Sequence, residues 1–210
     1  MSSTSGRATA TERLQQGFDA VYWTVLVNAL WWVFAAAGGL LLGAAPATLA
    51  GAELTRRRLD GELFPVWRSF ARAWKREFVK ANLLLTPFLA LGTVLAVDLA
   101  WFASRGPLGP GGVSVLVALG AVTTFGFLTA NVYTHYEVPF RLYPVRAARW
   151  ALGNLAHLLL LALMIVLIVG ISAVIPGLLP FLTMGALVTV TSALCTAFFR
   201  SNERLLAEHA

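Results

Sequence analysis

The chain has 210 residues, 58% of them hydrophobic and 12% charged. That is roughly half the charge of an ordinary soluble domain, so a water-soluble fold is left too little polar surface to stay dispersed. The net charge of +6 comes from sixteen Lys and Arg. These fall between long apolar runs rather than on a separable basic face with its own aromatic stacking platform, a placement that argues against nucleic acid and for membrane topology.

Residues 1–8, rich in Ser and Thr, read as disordered. Residues 9–22 read as a short interfacial helix, with Leu14, Phe18 and Val21 at helical spacing. Residues 1–19 are thus a polar N-terminal segment ahead of one membrane domain, 20–199, and a short tail, 200–210. No cleavable signal peptide is expected, because the start is polar and the apolar run after it is longer than a signal core of roughly 7–15 residues.

The first span is predicted over 21–42. Pro46 follows, then a short helical segment ending at Arg56, Arg57 and Arg58. The preferred reading is one long first helix, kinked or broken near Gly43–Pro46. A re-entrant hairpin is the alternative, and it would change the side of the N-terminus. Glu53 stands three and four residues before Arg56 and Arg57, which a local helix pair explains.

Between 65 and 81 the pattern predicts an amphipathic cytoplasmic helix. Val66, Phe70, Trp74 and Phe78 recur every four residues, and Arg68, Arg72, Arg76 and Lys80 recur at the same step two residues later. Two residues are about 200° apart on a helix, so the sets occupy opposite faces. Such a helix is expected to lie on the membrane surface, with Arg68, Phe70, Arg72, Trp74, Arg76 and Phe78 as candidate lipid or partner contacts.

Four further spans follow, over 83–103, 113–134, 152–175 and 178–199. A Gly/Pro-rich turn at 104–112 and a second basic loop at 136–149 separate them. The runs are continuous rather than alternating, which excludes a transmembrane β-barrel. The predicted fold is all-α: a polytopic membrane bundle of about five transmembrane helices with the cytoplasmic amphipathic helix. With five spans, thirteen Lys and Arg lie on one side and Arg7, Arg13 and Arg105 on the other. This positive-inside bias puts the C-terminus in the cytoplasm and the N-terminus outside. Fourteen Arg against two Lys, with abundant Ala, Gly and Leu, points to a GC-rich bacterial genome; the expected location is the bacterial inner (cytoplasmic) membrane.

Polar residues inside spans are functional candidates by default. Asp98 lies near the outer end of span two, Asn131 near the end of span three and His157 in span four. Asn28, Asn131 and His157 suit hydrogen bonds between helices. His135 and Glu137 mark the exit of span three and are candidates for a cytoplasmic pocket. Standing two apart, they do not share a helix face, which disfavours metal binding. Cys195 is the single cysteine, which excludes an intramolecular disulfide and suits a small buried thiol. No phosphate-binding GxxxxGK[ST], HExxH, GxSxG or paired metal-ligand motif occurs. No catalytic residue, cofactor or metal is therefore expected.

Three places carry a family resemblance: Ala45-Pro46-Ala47-Thr48-Leu49-Ala50, the run Gly61-Glu62 with Phe70 to Phe78, and Asp98 together with the Tyr136–Pro139 exit. In these the chain resembles the YesL family of bacterial integral membrane proteins, over roughly residues 15–205, with Ala45 where the family pattern has Gly. The resemblance implies a membrane protein without a known activity, accessory to or regulating carbohydrate uptake. Implied partners are membrane lipids, sugar ABC-transporter components or a second copy of itself. A small transporter or channel, acting alone or as an oligomer, is the alternative.

Overall fold

The computed structural model describes residues 10–175 and 177–208. Residues 1–8, expected to be disordered, lie outside the described residues, as does Pro176 of the last turn. Among the described residues the chain is all-α, without strands. Its helices are α1 (Ala10–Ala37), α2 (Leu41–Leu59), α3 (Val66–Ala103), α4 (Pro110–His135), α5 (Tyr143–Gly153), α6 (Leu155–Val174) and α7 (Met184–Glu208). A 3-10 turn, Phe140–Leu142, leads into α5, and a π turn, Leu179–Thr183, leads into α7. Five stretches are long and apolar enough to cross a membrane: Leu14–Ala37, Val66–Ala103, Pro110–His135, Leu155–Val174 and Leu179–Arg204.

The first of these does not run on into a kinked extension. It ends at a tight reversal, and α1 and α2 form an antiparallel hairpin. Gly39 and Leu40 take left-handed backbone angles, φ 75° and 62°. Gly38 meets Gly43 so closely that a Cβ on Gly38 would lie 2.4 Å from the Gly43 Cα. Three side-chain bonds follow along the hairpin. The Trp31 indole donates to Thr48 (3.0 Å), the Trp23 indole donates to Thr55 (3.2 Å), and Arg58 donates to the Asp19 carbonyl (3.3 Å). The break falls at the glycine pair because glycine tolerates the reversal. Pro46, where the kink was expected, sits inside α2. Proline lacks an N–H, so the carbonyl four residues earlier, Leu42, loses its helical donor. The Asn82 amide of α3 replaces it at 2.9 Å.

α2 is the central helix. Ala45, Ala47, Leu49, Ala50 and Leu54 are fully buried. It packs against α1, α3, α4 and α7, and its small residues permit that close approach. At 19 residues it is about 28 Å long, yet it is not among the five membrane-length apolar stretches.

α3 joins two elements expected to be separate. The amphipathic segment and the second span form one helix of 38 residues, about 57 Å long. The aromatic face is buried in protein rather than in lipid. Phe70 is fully buried, and Phe34 of α1 lies 5.1 Å from its ring and 5.6 Å from that of Trp74. Trp74 stacks edge-on against Phe78 and donates to the Gly43 carbonyl. The α1–α2 hairpin supplies the apolar surface that lipid was expected to supply.

The expected interfacial helix at 9–22 is likewise the start of α1, without a break. α1 runs antiparallel to α7. Thr24 pairs with Thr189 (3.2 Å), and one turn on Asn28 pairs with Gly185 (3.0 Å). The beginning of α1 and the end of α7 therefore share one end of the bundle, and the expectation of termini on opposite sides does not fit this packing. Asn28 also donates to the Pro180 carbonyl (2.8 Å). Its amide thus bridges an acceptor and a donor that the π turn before α7 leaves unpaired. The basic loop at 136–149 holds a helix of its own, α5, which packs Tyr143, Ala147 and Ala151 inward.

Candidate functional site

The aromatic stripe of α3 carries one carboxylate. Phe70, Ala73, Glu77, Ala81 and Leu84 share a buried face at helical spacing. A charged group there must be paired. The Tyr133 hydroxyl of α4 donates to one Glu77 oxygen (2.5 Å) and Arg76 donates to the other (2.6 Å). Arg76 also donates to Glu53 of α2 (2.5 Å). The cluster Glu53–Arg76–Glu77–Tyr133 therefore ties α2, α3 and α4 together. Glu53 pairs across helices here, not with Arg56 or Arg57; those two bond Asp60 and Glu62. Tyr143 of α5 stacks 4.7 Å from Tyr133 and donates to the Tyr136 carbonyl.

Among the residues singled out in 65–81, Phe70, Trp74 and Phe78 belong to the aromatic stack, and Arg76, itself exposed, to the cluster around Glu77. Arg68 and Arg72 are exposed, and Arg72 donates only to the Arg68 carbonyl. Lys75 and Lys80 are exposed on the same helix. The cationic row is thus divided: Arg76 is tied to Glu53 and Glu77, while Arg68, Arg72 and Lys80, with Lys75 beside them, face outward without an ion pair among the described residues.

His135 and Glu137 are not brought together. The His135 ring nitrogen Nε2 lies 3.2 Å from Glu203 of α7, and its ring packs against Tyr136 and Phe199. Glu137 points outward. The His135 Nδ1 atom is buried without a partner among the described residues. Burial, reinforced by Glu203, pushes the Tyr136 phenol up to about 12. The Arg146 guanidinium lies over its ring at 4.0 Å.

Asp98 is exposed on α3, forming no ion pair or hydrogen bond among the described residues. Asn131 is buried and donates to Phe127 of its own helix. His157 is half-buried, 4.3 Å from the Phe198 ring. A groove of about 300 Å³ separates α3 and α4 in front of α2, lined by Ala45, Leu85, Phe88, Gly92, Gly126 and Phe127 among others. A second, of about 360 Å³, lies between α1, α2 and α7 at Asp19, Trp23, Arg58 and Thr189. Asp98, Asn131 and His157 line neither. Among the described residues no group of three or more His, Cys, Asp or Glu is placed to hold a metal ion.

Sequence reading missed Glu77 and Tyr133. The signal for Glu77 was present: it is the one acid at aromatic-face spacing in a basic helix. Tyr133 lies 56 residues away, and nothing local marks it as the partner.

A family model described as "Protein of unknown function, DUF624" matches residues 24–99, the second half of α1, all of α2 and most of α3. Similar curated proteins include "Uncharacterized protein YesV" of Bacillus subtilis (strain 168). It is 31% identical over 140 residues, covering 65% of this chain and 67% of the relative. "Uncharacterized protein YteU" of the same organism is 26% identical over 165 residues, covering 75% of this chain and 72% of the relative. No solved structure matches the chain.

Proposed function

We propose, since this chain belongs to the DUF624 family of proteins of unknown function, that it is a YesL-type protein of the bacterial cytoplasmic membrane. It is non-enzymatic, accessory to or regulating carbohydrate uptake, and it engages a sugar ABC-transporter component through the outer edge of α3. The observation that supports this reading is the division of the α3 cations. Arg76 is consumed by Glu53 and Glu77, while Arg68, Arg72, Lys75 and Lys80 form no ion pair among the described residues and stand on a helix fixed by the Phe34–Trp74 stack. A rigid, uncompensated cationic edge suits an acidic surface of a partner.

Both ends of the chain then lie in the cytoplasm, with α2 as a sixth crossing enclosed by its neighbours. In that topology Arg105 is the one Lys or Arg left on the far side, a stronger positive-inside bias than five crossings give. The alternative, a small transporter or channel, calls for a polar cavity around Asp98, Asn131 or His157. The groove between α3 and α4 is instead mainly apolar.

The test is affinity purification of the tagged chain from cells induced on a sugar substrate. Transporter components should co-purify with the wild type and be lost from Arg68→Glu/Arg72→Glu. Equal recovery with both proteins refutes the assignment of the α3 edge.

A further inference from the structure

The outward face of α5 is neither a polar surface nor an apolar one. With Tyr143, Ala147 and Ala151 turned inward, it leaves Leu142, Val145 and Leu152 48%, 45% and 76% exposed. Arg141, Arg146 and Arg149 are exposed among them. Between this helix and the segment before it lies a cavity of about 320 Å³, lined by Val138, Leu142, Val145, Arg146 and Arg149. Arg146 is pre-positioned by its stack on Tyr136. Arg149 stands one turn on, on the same side of the helix. Neither forms an ion pair with a carboxylate among the described residues. α5 also sits where the basic end of the bundle meets the membrane region, since its Trp150 ring lies 5.2 Å from Phe199, next to Arg200 of α7.

We infer that this cavity binds one anionic phospholipid, with the phosphate held between Arg146 and Arg149 and an acyl chain lying along Val138, Leu142 and Val145. Two guanidinium groups on adjacent turns match the geometry of a phosphodiester. The three aliphatic side chains favour lipid over a free anion, because a soluble phosphate has no use for them. Their exposure in water would be unfavourable, and an acyl chain removes it. The two cations lie where juxtamembrane arginines draw acidic lipids to the cytoplasmic leaflet.

Native mass spectrometry of the full-length protein, extracted with equal amounts of phosphatidylglycerol and phosphatidylcholine, tests the assignment. The wild type should retain one phosphatidylglycerol in preference to phosphatidylcholine. At roughly fivefold per guanidinium, Arg146→Gln/Arg149→Gln should weaken retention about 25-fold. Leu142→Ser should weaken retention of the long-chain lipid while leaving a short-chain phosphatidylglycerol little changed. Arg105→Gln/Arg204→Gln, away from α5, is the charge-matched control and should leave retention as in the wild type. Four results overturn the site: equal retention by wild type and the α5 double variant, an equal loss with the control, displacement by millimolar inorganic phosphate, or displacement by an acidic cytosolic peptide. Displacement by phosphate would assign the guanidinium pair to a soluble anion, and displacement by the peptide would assign the face to a protein.

Discussion

Gly185→Ala is the sharpest probe of how α1 meets α7. A Cβ at this position would lie 2.2 Å from the Thr24 carbonyl oxygen, 2.6 Å from the Asn28 Cβ and 2.9 Å from the Asn28 nitrogen. Two of these three atoms are backbone, so no rotamer change relieves the overlap. Ordinary contact needs about 3.5 Å, so the helices must part by roughly 1 Å. Overpacking of this kind costs about 1–3 kcal/mol. The same movement stretches both hydrogen bonds of Asn28, each worth about 0.6 kcal/mol in a membrane bundle. Alanine returns up to about 1 kcal/mol through helix propensity. The net loss is about 1.5–3 kcal/mol, which in a chain of this size lowers the midpoint of unfolding by roughly 4–10 °C. Cys195 supplies the readout, since it is the single cysteine and fully buried. A thiol-reactive dye should label it only as the detergent-solubilised protein opens on heating. Gly170→Ala is the control: nothing lies within 4 Å of a Cβ there, and its midpoint should hold or rise slightly. A Gly185→Ala midpoint within 2 °C of the wild type would refute backbone contact between α1 and α7. The shared end for the two termini would fall with it.

Other outcomes follow from the same packing. Asn82→Leu leaves the Leu42 carbonyl without a donor and should cost about 1–2 kcal/mol in thermal or steric-trap unfolding. In a Pro46→Ala background the restored N–H takes over that carbonyl, so the penalty should largely vanish. Glu77→Leu strands the half-buried Tyr133 hydroxyl and should cost about 1–3 kcal/mol; Glu77→Gln keeps an acceptor and should cost less. Equal losses for the two variants would put the weight on the ion pair with Arg76 instead of the phenol. Side-specific reporters fused to each terminus should both report the cytoplasm, and an external N-terminus would restore a five-crossing chain.

Fold class was legible because lipid-exposed helices carry their environment in their composition: α6 is apolar from Leu155 to Val174. α2 was legible as a helical segment but not as a separate arm of the bundle, for the converse reason. A helix covered on all sides by protein has no lipid to match, so Ala, Gly and Thr serve it as well as Leu. The amphipathic period of α3 correctly placed aromatics and cations on opposite faces, but periodicity does not say what covers the apolar face. Lipid was the expected cover, and Phe34 is the one found. The charge count rested on five crossings and did not include the reversal at Gly38–Leu40, which adds a second arm after α1. Cross-helix partners such as Glu53 with Arg76 depend on packing that no local spacing encodes.

The enclosure of α2 also bears on how the chain is made. A segment that closes on Arg56, Arg57 and Arg58 and owes its shelter to neighbouring helices gains little from hydrocarbon by itself. In the six-crossing topology it therefore enters the bilayer as the second arm of a pair with α1 already beside it, the Gly38–Leu40 reversal setting their register before α3 is synthesised. A nascent chain that stops after α2 lacks the wall that Phe70 and Trp74 later provide, so completion of α3 is the step that commits the hairpin to its place.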